Sequence, residues 1–279
     1  MKVTQHLSEI RSVRWRDPNA TWGFVPTMGA LHQGHISLIR RARDENDNVA
    51  VSIFINPIQF NDTDDFKAYP IVLDEDLDLL LKEKVDLVWT PLTADIYPPD
   101  YQTYVQVEKI SKPLEGKTRP GHFKGVTTIV TILFNTFQPH RAYFGQKDAQ
   151  QLLVIKQMTI DLKLNLEIVS CPTVREKDGL AISSRNRNLS EAARKQAVCL
   201  FEALSIAKIN INDGEQNAEK VKAAMKTYIH NFPLAKIDYI SIADPSSLAE
   251  VESIAGHILI SMAVYIEGIR LIDNMIIEV

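Results

Sequence analysis

Two histidines raise the first chemical possibility. His32 and His35 lie in the stretch Phe24 to Leu38, which reads Phe-Val-Pro-Thr-Met-Gly-Ala-Leu-His-Gln-Gly-His-Ile-Ser-Leu. Three residues apart, they share a face if both fall on the first turn of a helix. Imidazoles in a His-x-Gly-His arrangement can stabilise the charge that develops at an α-phosphate as pyrophosphate leaves. Gly34 leaves a flat gap in which a base or ribose could lie against the backbone. The pair could also ligate a metal, but no convincing third ligand lies nearby. A lone histidine at a helix start is commonly a cap or a surface residue, so the rest of the chain has to decide.

Three further stretches carry charge or hydroxyls in Gly-rich or polar loops. Gly116 to Gly125 is basic and precedes an apolar run, which reads either as a second anion site at a helix start or as a solvated turn. Lys147 follows Gly145 at the start of another helical run. Ser183, Ser184 and Arg185 lie in a polar loop where they could clamp phosphates. Serines in such loops also cap helices, and Ser190 has the position of an N-cap.

These residues need elements to hold them. The apolar run from Trp22 reads as a strand, and Ile36, Leu38, Ile39 and Ala42 recur at helical spacing. The turn between them therefore ends at a helix N-terminus, where unpaired N–H groups and the dipole favour a polyphosphate. Asn48 to Ile55 is an unbroken apolar run of the kind buried in a parallel sheet. Asp74 to Lys84 reads as a helix with an acidic start and a basic end, and Leu87 to Thr90 as a third strand. Residues 3–16 read as a short amphipathic helix, and Tyr101 to Ile110 as an extended excursion. A helix over Val126 to Phe137, a strand over Ala142 to Gly145, a helix from Gln146 to about Leu162 and a strand over Leu166 to Val174 follow. The β-α-β-α-β alternation predicts a Rossmann-like, doubly wound parallel sheet whose ligands lie at the carboxyl ends of the strands. Beyond it, helices at about 190–209 and 216–231 precede β-runs at 236–243, 257–267 and 269–278. That pattern predicts a second, smaller α+β domain, giving domains at 1–173 and 174–279.

Composition narrows the class. At 279 residues there is room for two domains, and 45% hydrophobic with 24% charged residues is ordinary for a globular chain. A net charge of −4 gives no sign of a nucleic-acid surface. Cys171 and Cys199 fit no metal or redox spacing and are expected as buried thiols in a reducing cytosol. The N-terminus lacks the apolar core of a signal peptide, and the apolar run Ile258 to Ile266 is too short for a membrane span.

Five motifs in order resemble the pantoate–β-alanine ligase family, along nearly the whole chain. They are Pro26-Thr27-Met28-Gly29-Ala30-Leu31-His32-Gln33-Gly34-His35, Asn56-Pro57-Ile58-Gln59-Phe60, Arg119-Pro120-Gly121-His122-Phe123, Phe144-Gly145-Gln146-Lys147-Asp148 with Gln150-Gln151, and Asp178 through Asn186. Arg270-Leu271-Ile272-Asp273-Asn274-Met275 resembles the family's C-terminal ending. The resemblance implies a Rossmann-like nucleotidyltransferase fold with a C-terminal lid domain. It also implies a reaction in which pantoate and ATP form pantoyl adenylate and pyrophosphate, after which β-alanine displaces AMP to give pantothenate. Magnesium would accompany ATP, no protein-bound metal is implied, and the enzyme would be a cytoplasmic homodimer with no nucleic-acid or membrane partner.

Carried over residue by residue, Met28, Gly29, Ala30, Leu31, His32, Gln33, Gly34 and His35 would hold ATP, with His35 the principal catalytic imidazole and His32 its partner. Gly145, Gln146, Lys147 and Asp148 would contact the nucleotide, Lys147 on the phosphates as a third catalytic group. Val174, Ile182, Ser183, Ser184 and Arg185 would complete the ATP site. Gln59 and Gln151 would bind pantoate, with Gln59 also bordering β-alanine, and Arg119 and His122 would sit behind them. Ile182, Gln146, Asn61, Ile71 and Ile132 depart from the residues usual in the family. Three other readings remain at this point. A nucleotidyltransferase making a nucleotide-diphosphate product would not need the two glutamines, a tRNA synthetase fragment would want an anticodon-binding module, and a non-catalytic nucleotide module would not need both histidines and Lys147.

Overall fold

The computed structural model describes residues 1–61, 66–67 and 69–279. They form two compact units, one of residues 1–145 and 150–172, the other of 146–149 and 173–279.

The first unit is built on six parallel strands: β1 (Lys2–Thr4), β2 (Trp22–Thr27), β3 (Asn48–Ile53), β4 (Leu87–Trp89), β5 (Arg141–Gly145) and β6 (Glu167–Cys171). Their order is β1-β4-β3-β2-β5-β6. Its longer helices among the described residues are α1 (Leu7–Arg14), α2 (Gln33–Glu45), α3 (Leu73–Lys82), α4 (His122–Phe137) and α5 (Ala149–Asp161). The strand pleat sorts alternate residues to opposite faces. Phe24, Ala50, Leu87, Trp89 and Phe144 pack with Val130, Phe134 and Phe137 of α4 and Ile155 of α5. Val25, Val51, Val88 and Tyr143 pack with Ile36 and Ile39 of α2 and Leu80 of α3. Both faces are covered, which is why these strands read as nearly continuous apolar runs.

The second unit holds α6 (Glu191–Gln196), α7 (Cys199–Asn212), α8 (Ala218–Ile229) and an antiparallel sheet in the order β7 (Ala235–Ala243), β8 (His257–Ile266), β9 (Ile269–Glu278). Its own core joins Leu200, Leu204 and Ala207 to Val221 and Met225 and to Ile260, Met262 and Val264. A two-residue turn, Glu267-Gly268, joins β8 to β9 with φ of +50° and +84°. Positive φ at both positions matches the twist of the two strands.

The local differences from the sequence reading have simple causes. Residues 3–16 are not one helix: Lys2–Thr4 form the edge strand β1, parallel to β4, and α1 begins only at Leu7. Three residues are too few for a period-2 signal. The helix expected from Val126 begins at His122, so His122 and Lys124 belong to the helix rather than to the basic loop before it. The helix expected from Gln146 begins at Ala149, after a 3-10 turn over Gln146–Asp148. Ser190 does cap α6, accepting from the Ala193 N–H at 3.1 Å. Both cysteines are buried and unpaired in disulfides, and burial pushes the Cys199 thiol up to about 12.

One glycine sets how α4 meets the loop after β3. A Cβ on Gly125 would lie 2.6 Å from the Ile58 carbonyl oxygen and 2.8 Å from the Gln59 backbone nitrogen and Cα. Only a residue without a side chain lets the 3-10 turn Pro57–Gln59 rest directly on the helix. Gly125→Ala is expected to lower stability by about 1–3 kcal/mol, the usual cost of overpacking against backbone. The readout is the urea midpoint at constant m, and an unchanged midpoint would show that the turn yields freely.

Candidate functional site

Beyond the edge strand β1, the order runs β4-β3-β2-β5-β6 and reverses between β2 and β5. In open parallel sheets that reversal opens a crevice at the carboxyl ends of the strands. The chain leaving β2 enters it with Gly29 and Ala30 at φ of +83° and +50°. Two left-handed residues in a row turn the next amides toward α3. There the Asp76 carboxylate, only 2% exposed, accepts from the Ala30 N–H at 2.8 Å and the Leu31 N–H at 2.7 Å. Gly29 is required for this approach, because a Cβ there would lie 2.9 Å from Asp76 Oδ2.

His32 is the N-cap of α2 and His35 its third residue. His32 Nδ1 accepts from the Gly34 N–H at 3.2 Å, and His35 Nδ1 accepts from the His32 N–H at 3.3 Å. This is a capping box made of two imidazoles. A nitrogen that accepts carries no proton, so each neutral ring keeps its proton on Nε2. The rings lie 4.0 Å apart between centroids. The His32 ring packs close to Gly34, its Cε1 lying 2.9 Å from where a Cβ at that position would be.

Gln59 lies behind this loop. Its Nε2 is 2.9 Å from Met28 Sδ, and its Oε1 accepts from Asn56 Nδ2 at 3.0 Å. Asn56 Nδ2 also donates to the Gly125 carbonyl, and the Tyr97 hydroxyl donates to Asn56 Oδ1 at 2.8 Å. Burial pushes the Tyr97 phenol above its ordinary pKa, so it stays a neutral donor. His122 Nδ1 lies 2.9 Å from the Gln59 carbonyl oxygen, with Arg119 Nη1 3.3 Å from His122 Nε2. The structure therefore brings Met28, Gln59, Arg119 and His122 together. On α5 the two glutamines divide. Gln150 is spent on the preceding loop, donating to the Ile110 and Pro113 carbonyls and accepting from the Glu115 N–H. Gln151 is half-buried beside it.

Gly145 ends β5 in the first unit, and Gln146, Lys147, Asp148, Val174 and Ile182 to Arg185 belong to the second. Gln146 and Lys147 are held by Asn274 of β9, and the Lys147 ammonium lies 3.8 Å from Asp148. Gln146 Nε2 donates to Asn274 Oδ1 at 3.2 Å, a bond that a carboxylate at this position could not make. Val174 to Ile182 closes as a short antiparallel loop, with Ile182 N–H on the Val174 carbonyl and Arg175 bridged to Ala181. Ser183 caps the 3-10 turn Ser184–Asn188 by accepting from the Arg185 N–H at 3.3 Å.

Sequence reasoning passed over Asp76, Asn56, Tyr97 and Asn274. Asp76 was visible only as one acid in the first turn of a helix, and Asn274 only as part of the C-terminal run. Neither carries a local sign of the distant backbone it binds.

The sheet order and the imidazole-capped helix at its switch point define a Rossmann-like α/β enzyme of the nucleotide-binding class. The model of the family described as pantoate-beta-alanine ligase matches residues 2–276. The chain is 51% identical over 278 residues to the pantothenate synthetase of Roseiflexus castenholzii, with 100% of each covered. It is 49% identical over 279 residues to that of Thermotoga petrophila, covering 99% of this chain and 100% of the relative. Among solved structures, pantothenate synthetase from Thermus thermophilus superposes with a TM-score of 0.94 at 42% identity, covering 99% of both chains. The pantoate-beta-alanine ligase of Francisella tularensis, complexed with beta-gamma ATP and beta-alanine, gives 0.82 at 37%, covering 99% of this chain and 97% of that one. The chain belongs to the pantoate–β-alanine ligase family. It is an ATP-dependent ligase that joins pantoate to β-alanine through an adenylate. No helix among the described residues is long and apolar enough to cross a membrane.

Asp76→Ala leaves two buried N–H groups without their acceptor, each costing about 1–3 kcal/mol. The variant is expected to lose at least about 2 kcal/mol of stability and to bind ATP more weakly. Calorimetry on the apo-protein and ATP titration check this, and a variant matching the parent in both would show that the loop holds its shape alone.

Proposed function

We propose that the Met28–His35 loop binds ATP and that His35, partnered by His32, stabilises the α-phosphate while pantoate attacks it. The observation that carries this reading is the double cap. It engages Nδ1 of both rings and leaves each neutral ring's proton on Nε2, at the positive end of α2. Pantoate carboxylate and ATP are both anionic, so their approach is opposed by Coulomb repulsion. Nε2–H groups, the helix terminus and Lys147 offset that repulsion most strongly where charge develops, on the leaving pyrophosphate and the α-phosphate. Gly145, Gln146 and Asp148 contact the nucleotide. Val174, Ile182, Ser183, Ser184 and Arg185 complete its site, Arg185 with a planar fork suited to phosphate oxygens.

Gln59 and Gln151 orient pantoate, and Gln59 borders β-alanine. Neutral amides fix the oxygens of a small anion without competing for charge. The carboxylate oxygen of pantoate bonds to the α-phosphorus as pyrophosphate leaves. The amine of β-alanine then forms the amide bond at the acyl carbon as AMP departs. Magnesium would accompany ATP and would help to offset the charge of its phosphates. The enzyme works as a cytoplasmic homodimer, the habit of the family.

The deciding assay measures AMP release with pantoate and β-alanine omitted in turn, together with ATP–pyrophosphate exchange. Exchange that requires pantoate, and AMP release that requires both, is expected. Exchange without pantoate would favour a plain nucleotidyltransferase.

His35→Asn can still accept from the His32 N–H but lacks Nε2. It is expected to melt close to the parent while adenylation slows by about two to three orders of magnitude. A full single-turnover rate would reduce His35 to a cap. Replacing Gln59 or Gln151 with Ala should raise the half-saturating pantoate concentration about tenfold or more and that of ATP far less, since a small polar ligand loses an oriented partner. Equal effects on the two substrates would mark these glutamines as structural.

A further inference from the structure

The run Arg270 to Met275 has no part in the reaction as described, yet it contains two adjacent buried polar residues of the second unit. Asp273 and Asn274 are adjacent on β9 and 2% and 5% exposed. Asp273 makes a two-pronged pair with Arg175, at 2.6 and 2.9 Å. The same guanidinium donates to the Gly179 carbonyl at 3.0 Å and lies 4.6 Å above the Phe201 ring. Asp273 Oδ1 also accepts the backbone N–H of Asn274 at 2.8 Å.

The Asn274 amide is directed wholly at one short turn. Its Nδ2 donates to the Gln146 carbonyl at 2.9 Å and to the Lys147 carbonyl at 2.8 Å, and its Oδ1 accepts from Gln146 Nε2. The 3-10 turn Gln146–Asp148 runs directly into α5, and the Asn274 amide ties the first two of its carbonyls to β9. Buried polar groups contribute little net stability unless fully paired, and a buried ion pair often contributes less than apolar residues of the same volume. Their yield here is geometry. Lysine reaches its target on a flexible four-carbon stem, so where the ammonium goes depends on how firmly its backbone is fixed. Two adjacent carbonyls tied to one planar amide fix the peptide planes on either side of the Lys147 Cα.

We propose that Asn274, held by the Arg175–Asp273 pair, is a positioning residue for Lys147 in adenylate formation. This rests on the reading of Lys147 as a phosphate-binding group. Asn274 acts through that ammonium, so its effect disappears when the ammonium is removed. A positioning error of about 1 Å is enough to cost about a hundredfold in rate.

The test is a double-mutant cycle on single-turnover formation of pantoyl adenylate from ATP and pantoate, with unfolding midpoints measured on every protein. Asn274→Asp keeps the volume but turns the donor toward the carbonyls into an acceptor, and Asn274→Ala removes both. Arg175→Lys, which keeps the charge on Asp273 and loses the fork, is the milder arm. In the parent, Asn274→Asp and Asn274→Ala should slow adenylation about 10- to 100-fold, with the half-saturating pantoate concentration within about twofold. In a Lys147→Ala background the same substitutions should change the rate less than about twofold, because coupled residues are not additive. Arg175→Lys should follow the same dependence with a smaller loss. Equal losses in both backgrounds, or no loss in the parent, would overturn the positioning role. A Lys147→Ala protein that forms adenylate at the parental rate would instead overturn the reading of Lys147, and the role of Asn274 would fall with it.

Discussion

The start of α2 carries the constraint on which the first unit depends. A helix N-terminus exposes N–H groups with no partner within the helix. Here the acceptors for these groups and for the amides just before them are His32, His35 and Asp76. Ordinary caps, a serine or an aspartate, would satisfy the same amides and leave nothing for chemistry. Imidazole has a second nitrogen. A cap that consumes Nδ1 sets the neutral tautomer, orients the ring and leaves a proton on Nε2. Structure and chemistry are served by opposite edges of the same ring. A side chain at Gly34 would press on the His32 ring, whose Cε1 lies 2.9 Å from the place of a Cβ there.

The same device recurs elsewhere in both units. A buried amide or carboxyl group reaches across the sequence to hold a turn or loop in place. Asn56 ties the turn before Gln59 to α4, Gln150 ties three groups of the 110–115 loop, and Asn274 ties the turn carrying Lys147. Each bond adds only about 0.5–1.5 kcal/mol net, while losing one partner costs about 1–3 kcal/mol. Such contacts therefore select one loop conformation more than they stabilise the fold. Stability comes from the apolar faces, where Phe24 stacks on Phe137 at 4.4 Å and Trp89 meets the same ring edge-on at 5.9 Å.

Much of this was legible in the chain itself. The apolar run from Trp22 announced a strand, the unbroken run Asn48 to Ile55 announced one buried in a parallel sheet, and the helical spacing of Ile36, Leu38, Ile39 and Ala42 announced α2. The His-x-Gly-His spacing pointed to phosphate chemistry at a helix start, and the five ordered motifs pointed to the family. These signals are local, because the periods of 3.6 and 2 and the chemistry of a short motif are complete within a few residues. Only the tertiary structure decided the rest. Asp76 meets amides 45 and 46 residues away, and Asn274 meets carbonyls 127 and 128 residues away. The strand Lys2–Thr4 exists because β4 offers it an edge. A buried acid or amide binds whatever backbone the fold brings within 3 Å of it. That distance is set by the packing of whole elements, and no pattern in the residues on either side of Asp76 or Asn274 records it.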